Sequence, residues 1–376
     1  MGDLTVGIIG LGAAGRHHAD RLDDIGHAVV GMDIDEIARK RFVDRFGAPT
    51  VDDHHALLEA ADAVVVATPN DTHERYATDA LDDDLDVLVE KPLADSLEAA
   101  SRIARAAAES DGFCTVGYHN RYRSVVERFK QLHDEGRFGE ITHVRASNRR
   151  RRGVPVRREW VTRRDVAGGG ALIDIGAHTI DLALHLLGFP PIETVSGRTH
   201  SPSGSRFEVE AAARGFISCA DGSTVAVDVA WQTNGPSDKE FVVDGDERGA
   251  VLVPGADRLE VIEEGVRTRI GVDPGDPYER ELRSFVRGVE TGVRPDRNGI
   301  DEALTVQRVI HSIYRSADRS GRPLPVTGTR TVRRRPPGWY RRRIGVPHLC
   351  PRYRRRRSID TDRRCGRVRP HRRVRP

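Results

Sequence analysis

Leu4-Thr5-Val6-Gly7-Ile8-Ile9-Gly10-Leu11-Gly12-Ala13-Ala14-Gly15 is the stretch that decides the fold. Leu4–Ile9 is an apolar run of strand length, and the Gly-x-Gly-x-x-Gly that follows opens a helical pattern over Ala13–Leu22. In that setting Gly10 allows a tight turn, Gly12 lets backbone approach a pyrophosphate, and Gly15 permits close helix packing. Ala13 and Ala14 then stand at a helix N-terminus that faces the anion. A second apolar run, Ala28–Met32, ends in Asp33, 18 residues beyond Gly15. A carboxylate there accepts hydrogen bonds from the adenosine ribose and repels a 2′-phosphate, which favours NAD over NADP. Arg39 and Lys40 argue the other way but stand a turn or more into the next helix, so NADP stays open.

Outward from this motif, short apolar runs alternate with helical patterns, the signature of βαβ units and a parallel sheet. Further strands are expected over Ala63–Ala67, Leu85–Val89 and Phe113–Tyr118, with helices over Glu36–Phe46, Thr72–Leu81 and Leu97–Glu109. Thr68-Pro69-Asn70 and His73 follow one strand end, as a helix-capping turn or as cofactor contacts. Glu90-Lys91-Pro92 follows another, at the edge where open α/β sheets bind ligands. Lysine is used only four times among 60 basic residues, which singles out Lys91.

After Tyr118 the texture changes. Thr224–Trp231 carries large apolar residues at every second position, and Asp221-Gly222 and Asp244-Gly245 are turn signals, so an antiparallel sheet is expected. Val306, Val309, Ile310, Ile313 and Ala317 recur at helical spacing. Together these features give an α/β chain: an N-terminal dinucleotide-binding (Rossmann) domain over 1–120 and a second, α+β domain over 121–328. Within the second domain Gly168-Gly169-Gly170 precedes an apolar helix, 171–187, on which Asp174, His178, Asp181 and His185 share one stripe at 100° per residue. A helix apolar on its other faces is buried, so the stripe either satisfies itself or lines a cavity. One straight helix cannot wrap four ligands around one ion, so no metal is expected. Asp174 and His178 are the catalytic candidates, with Asp181 and His185 in support. Tyr278, Trp160 and Arg149 are candidate pocket residues or ordinary packing.

Composition bounds the function. From Arg330 onward the chain carries 19 Arg against Asp360 and Asp362, leaving 41 basic and 55 acidic residues in the body, a net of −14 behind the overall +3. Such a lysine-poor acidic surface suits high salt, and halophily is the expectation. The Arg-rich segment 329–376 shows no periodicity and is expected to be disordered, either a polyanion-binding arm or an appendage without function; nucleic acid is not the expected partner. Cys114, Cys219, Cys350 and Cys365 lack metal-ligand spacing, no apolar run suggests a membrane span, and the first strand leaves no room for a leader, so a soluble cytoplasmic protein is expected.

Gly10/Gly12/Gly15, Asp33, Thr68-Pro69-Asn70, Glu90-Lys91-Pro92 and Gly168-Gly169-Gly170 with Asp174, Gly176, His178 and Asp181, in this order, resemble the Gfo/Idh/MocA family of sugar and cyclitol oxidoreductases over about residues 4 to 328. The resemblance implies an open antiparallel sheet in the second domain, a homodimer or homotetramer, and a sugar or polyol substrate. It implies that Lys91, Asp174 and His178 are the catalytic set, that Glu90 and Asn70 touch the cofactor, and that Lys91-Pro92 is cis. Gly117–Tyr122 is similar to the family's crossover, placing Asn120 or Arg121 toward the site. Hydride transfer between a carbinol and NAD is then expected, with His178 taking the hydroxyl proton. Neutral imidazole near 6.5 is ready at neutral pH, whereas a lysine near 10.4 would have to fall to near 7, at about 4 kcal/mol. Lys91 is therefore read as a fixed cation. Two other readings stay open: a non-catalytic NAD-binding sensor of the same fold, and a relative that uses NAD transiently in glycoside cleavage.

Overall fold

Six short strands build the first sheet: β1 (Thr5–Ile9), β2 (Ala28–Met32), β3 (Thr50–Val51), β4 (Ala63–Val66), β5 (Asp86–Val89) and β6 (Cys114–Val116). Val64, Val65, Val66, Val87 and Val89 are inaccessible to solvent, because helices cover both faces, and such strands read as continuous apolar runs. All pairs are parallel, in the order β3-β2-β1-β4-β5-β6. Winding reverses between β1 and β4, which opens a crevice beyond their C-terminal ends. The connecting helices are α1 (Ala13–Asp24), α2 (Glu36–Phe46), α3 (His54–Ala60), α4 (His73–Asp82) and α5 (Leu97–Glu109). Asp35, Asp53 and Ser96 cap α2, α3 and α5 by accepting from backbone N–H groups. The computed structural model describes residues 4–151, 153, 159–202 and 207–327; the Arg-rich segment from 329, with Cys350 and Cys365, lies outside them.

Helix α6 (Ser124–Asp134) leads into a nine-stranded sheet. Its strands are β7 (Ile141–Arg149), β8 (Ile192–His200), β9 (Ala212–Cys219), β10 (Thr224–Ala230), β11 (Asp238–Gly245), β12 (Gly249–Val253), β13 (Arg258–Glu263), β14 (Val266–Ile270) and β15 (Leu324–Pro325). The order is β14-β13-β12-β11-β7-β10-β9-β8-β15. Val225, Val227 and Val229 of β10 face inward, as their alternation requires. The sheet is not wholly antiparallel: β7 and β10 pair in parallel, because the chain between them makes a long crossover through α7 (Arg164–Ala167), α8 (Ala177–Leu187), β8 and β9. By length and composition Arg164–Leu187 reaches the apolar content of a membrane span, contrary to the sequence expectation, yet 83% of that window is buried inside this fold.

The last helices, α9 (Pro277–Thr291) and α10 (Ile300–Asp318), return to the first sheet. Leu282, Phe285 and Val286 of α9 join the cluster of Val6, Ile8 and Leu22. Packing therefore crosses the division at residue 120.

Arg121 holds that crossing. It is buried among α8 and α10, where its Nε lies 3.0 and 3.1 Å from the two carboxylate oxygens of Asp181, its Nη2 meets Asp181 again and its Nη1 meets Glu302. The guanidinium also lies over the Phe189 ring at 4.7 Å. Sequence reasoning allowed Arg121 to face the site; instead it is a structural cation, and Asp181 is its support. Burial, with Glu302 alongside, holds the Asp181 carboxyl up at about 6 against the pull of Arg121. Arg121→Leu would strand two buried carboxylates and is expected to destabilise the fold by about 3–5 kcal/mol in urea unfolding; Arg121→Lys, lacking the planar fork, should recover only part of the loss.

Candidate active site

The crevice at the β1–β4 switch point is a cavity of about 1070 Å³, bordered by Gly10, Gly12, Ala13, Ala14, Asp33 and Thr68. Each glycine of the first turn has its own reason. Gly10 has φ +94° and a Cβ there would lie 2.7 Å from the Ala67 carbonyl oxygen, while a Cβ on Gly15 would lie 1.9 Å from the Gly10 oxygen. Gly15 thus serves helix–strand packing and stands off the crevice lining. A Cβ on Gly12 would meet nothing within 4 Å, so the protein itself does not require glycine there. Open approach at Gly12, with a first helical turn that no side chain caps, fits a pyrophosphate. Asp33 is held at the rim: Oδ2 accepts from Leu11 N at 2.8 Å and Oδ1 from Asp35 N at 2.9 Å. Arg39 is nearer than spacing suggested, donating to the Asp33 backbone oxygen at 2.7 Å.

Two residues expected at the cofactor also tie the protein's own loops together. Buried His73 sits beneath the loops, its ring nitrogens 3.0 Å from Pro92 O and 2.9 Å from Thr68 O, and burial depresses its basicity. It ties two strand-end loops together and does not line the crevice. Asn70 borders the crevice, but its Nδ2 donates to Ala167 O at 2.9 Å, joining the loop after β4 to α7.

A second cavity, of about 850 Å³, shares Ala13, Ala14, Glu90, Lys91 and Asp174 with the first. Lys91 stands at that junction, with the Lys91-Pro92 bond in cis. Its Nζ donates to Asp174 O at 3.1 Å and to Asp174 Oδ1 at 3.2 Å. The other oxygen, Oδ2, accepts from Trp231 Nε1 at 2.9 Å. Burial opposes ionisation of Asp174, but Lys91, Trp231 and Arg150 outweigh it and hold the carboxyl below its ordinary range. Glu90 behaves alike: burial would raise it, yet His18, whose Nε2 lies 2.8 Å from Oε1, and Lys91 bring it down to about 2.

Asp174 does not sit on a straight α-helix. Leu172–Gly176 is a π turn that precedes α8, so Asp174 and His178 belong to different windings. The glycines before it are packing requirements: a Cβ at Gly168, Gly169 or Gly170 would come within 2.0 Å of Asp95 O, Tyr314 Oη or Glu210 O respectively. Glu210 then caps this turn, accepting from Gly170 N at 3.0 Å and Leu172 N at 2.9 Å. His178 borders the second cavity, where burial first, then His119, Lys91, Lys239 and Arg123, push its imidazole well below 6.5. It is neutral at any working pH near 7.

Trp231, Glu210, His119 and Lys239 were not singled out in the sequence. Lys239 is the second of the four lysines to reach the site, and the same scarcity that marked Lys91 marked it too. Burial, with Arg123, Arg150 and Lys91, brings its ammonium down to about 7. Asn120 borders the second cavity and not the crevice, with Oδ1 accepting from Lys239 Nζ at 3.1 Å and Arg123 Nε at 2.9 Å. Tyr278 and Arg149 border the same cavity, Tyr278 stacked on His119 with centroids 3.9 Å apart; Trp160 borders the crevice. Among the described residues, the one group with metal-ligand spacing is His54, His55 and Asp79, in which His54 Nε2 already bonds Asp79 at 2.8 Å.

Residues 4–118 match the model of an oxidoreductase family with an NAD-binding Rossmann fold, and residues 126–251 match the GFO/IDH/MocA C-terminal domain. A protein of Amycolatopsis mediterranei, assigned provisionally as the oxidoreductase subunit of a UDP-kanosamine synthase, is 32% identical over 84% of this chain and 96% of its own length. The NADP-dependent D-xylose 1-dehydrogenase of Haloarcula marismortui is 30% identical over 72% of this chain and 77% of its own. Among solved structures, GenD2 of gentamicin A biosynthesis in complex with NAD superimposes with a TM-score of 0.75 at 28% identity, covering 87% of this chain and 97% of that one.

The Glu90 environment has a measurable sign. Its folded value of about 2 lies below the ordinary 4.5, so its stabilising contribution is full above 4.5 and drains away as pH falls toward 2. Urea unfolding between pH 6 and pH 3 should therefore show wild type losing about 2 kcal/mol more than Glu90→Gln.

Proposed function

The chain belongs to the Gfo/Idh/MocA oxidoreductase family, and from that premise we propose that it is an NAD-dependent dehydrogenase of sugar, polyol or cyclitol hydroxyls with Lys91, Asp174 and His178 as its catalytic set. The observation that carries the reading is the shared wall: Lys91 and Asp174 border both the dinucleotide crevice and the cavity that holds His178. A substrate carbinol in the second cavity would lie across that wall from a dinucleotide held in the first.

NAD, held in the crevice by the glycine turn and Asp33, would supply the acceptor for a hydride from the carbinol carbon. The protein's part is to hold charge and move the hydroxyl proton. Lys91, fixed by two oxygens of Asp174, presents a cation to the substrate oxygen and stabilises alkoxide character, a contribution of about 3 kcal/mol for a comparable donor. Asp174 offsets and aims that cation, and Trp231 aims Asp174. His178, neutral at working pH, takes the hydroxyl proton in oxidation and returns it in reduction. Gly10, Gly12, Ala13, Ala14, Asp33, Thr68, Asn70 and Glu90 are proposed to hold the cofactor, with Gly15 and His73 shaping its loops from behind. Asp33 favours NAD, and Arg39 beside it leaves room for some use of NADP.

We take residues 1–120 as the cofactor domain and 121–328 as the substrate and oligomerisation domain of a cytoplasmic homodimer or homotetramer. The acidic body, at −14 without its Arg-rich end, supports a salt-adapted protein. Melting temperature and activity should then rise with added potassium chloride; a fall from dilute buffer onward would contradict this.

Screening NAD and NADP reduction against pentoses, hexoses, inositols and uronates, with a glycoside-cleavage control, tests the activity. With the substrate so found, Lys91→Ala should lower kcat by about a hundredfold or more while NAD affinity is kept, and Lys91→Arg should not restore it. Wild-type turnover in Lys91→Ala, or glycoside cleavage without net NAD reduction, would refute the assignment.

A further inference from the structure

The second cavity carries more positive charge than its own carboxylates neutralise. Three acids border it, and each is committed elsewhere: Glu90 to His18, Asp174 to Lys91 and Trp231, Asp238 to Arg149 at 2.9 Å and Ser147 at 2.8 Å. Arg123, Arg150 and Lys239 also border it, and among the described residues none of the three has a carboxylate within ion-pair distance. Arg123 Nε and Lys239 Nζ donate to the same Asn120 oxygen, at 2.9 and 3.1 Å, which brings the two cationic heads within about 6 Å of each other. Only a neutral amide oxygen separates them.

Asn120 adds an independent sign. Two donors on one side fix its amide with Oδ1 toward the cations. That leaves Nδ2, in a side chain 1% exposed, buried with no hydrogen-bond partner.

We propose that this cavity binds a sugar that carries an anionic substituent, a phosphoryl or carboxylate group, which Arg123, Lys239 and Arg150 neutralise while the carbinol lies against Lys91 and His178. The inference rests on the sugar-dehydrogenase reading and names its substrate class. Two cations share one neutral acceptor, and an incoming anion would relieve that repulsion while keeping Lys239 protonated. Arg123 is anchored by a second bond, Nη1 to Pro254 O at 3.0 Å, and so is preorganised for that anion. Exposed Arg150, just beyond the end of β7, borders the same cavity. The depressed Lys239 ammonium, near 7 without a ligand, fits a group whose counter-ion arrives with the substrate.

The test is calorimetric titration of the full-length protein saturated with NADH, which keeps the pyrophosphate site filled and leaves no hydride acceptor for the titrated sugar. The ligands are inorganic phosphate, glucose, glucose 6-phosphate and glucuronate. Phosphate and at least one anionic sugar should bind, the sugar at least tenfold more tightly than glucose; comparing the two sugars distinguishes phosphoryl from carboxylate. In Lys239→Gln and Arg123→Gln, each checked for wild-type melting, the preference over glucose should fall at least tenfold. Glucose binding as tightly as both anionic sugars, no binding of any anion, or variants that keep the preference would overturn the proposal. So would a loss in the variants equal for neutral and anionic ligands, which would mark Lys239 as general machinery. With NADH in place the titration reads binding alone, so anion binding by a protein that reduces NAD or NADP with none of the screened sugars would refute the dehydrogenase reading and leave the anion site standing.

Discussion

One ion pair organises the centre of this protein. Lys91 leaves the end of β5 in the first sheet, Asp174 lies in the π turn ahead of α8, and 3.2 Å separates them. Each partner is fixed from behind: Lys91 by the loop that His73 ties down, Asp174 by Trp231 from the end of β10. A pair in this position sets the distance between the dinucleotide crevice and the second cavity, because it is wall to both. Ion pairs of this kind contribute little net stability once desolvation is counted, so its value lies in geometry and charge placement.

The charges around it follow a common rule. Each buried anion has a specific cation or donor: Glu90 with His18, Asp174 with Lys91, Asp181 and Glu302 with Arg121, Glu210 with backbone N–H groups. Arg123, Lys239 and Arg150 gather in the second cavity with no carboxylate partner among the described residues. Burial first, and that surplus with it, depresses His178 and Lys239 together. It keeps the proton acceptor neutral, and it makes an anionic ligand the natural complement of the site.

Much of this was legible in the sequence. Ala28–Met32, Glu36–Phe46 and Leu97–Glu109 stand where apolar periodicity placed them, because buried parallel strands and amphipathic helices write long, regular patterns. Thr50–Val51 and His54–Ala60 escaped notice, since two half-buried residues and a seven-residue helix write almost none. The π turn at Leu172–Gly176 was invisible for another reason: apolar spacing cannot distinguish one extra residue in a winding that is buried all round. Lys239, Trp231 and Glu210 come from strands and loops whose register brings them to the site. Lys239 faces Asn148 only because β11 pairs with β7, and that pairing is not written in either strand alone. Scarcity of lysine was the one local signal for Lys239.

The account stands on Lys91 and Asp174 acting as a unit, and a double-mutant cycle on kcat/KM measures that directly. Lys91→Ala, Asp174→Asn and the double variant would be compared with wild type on the substrate the protein turns over. If the carboxylate works by holding and balancing the ammonium, the double variant should fall no further than the worse single variant, within about threefold. Losses that multiply would mean that the two residues act separately, and the ion pair would then not be the joint on which the site is built.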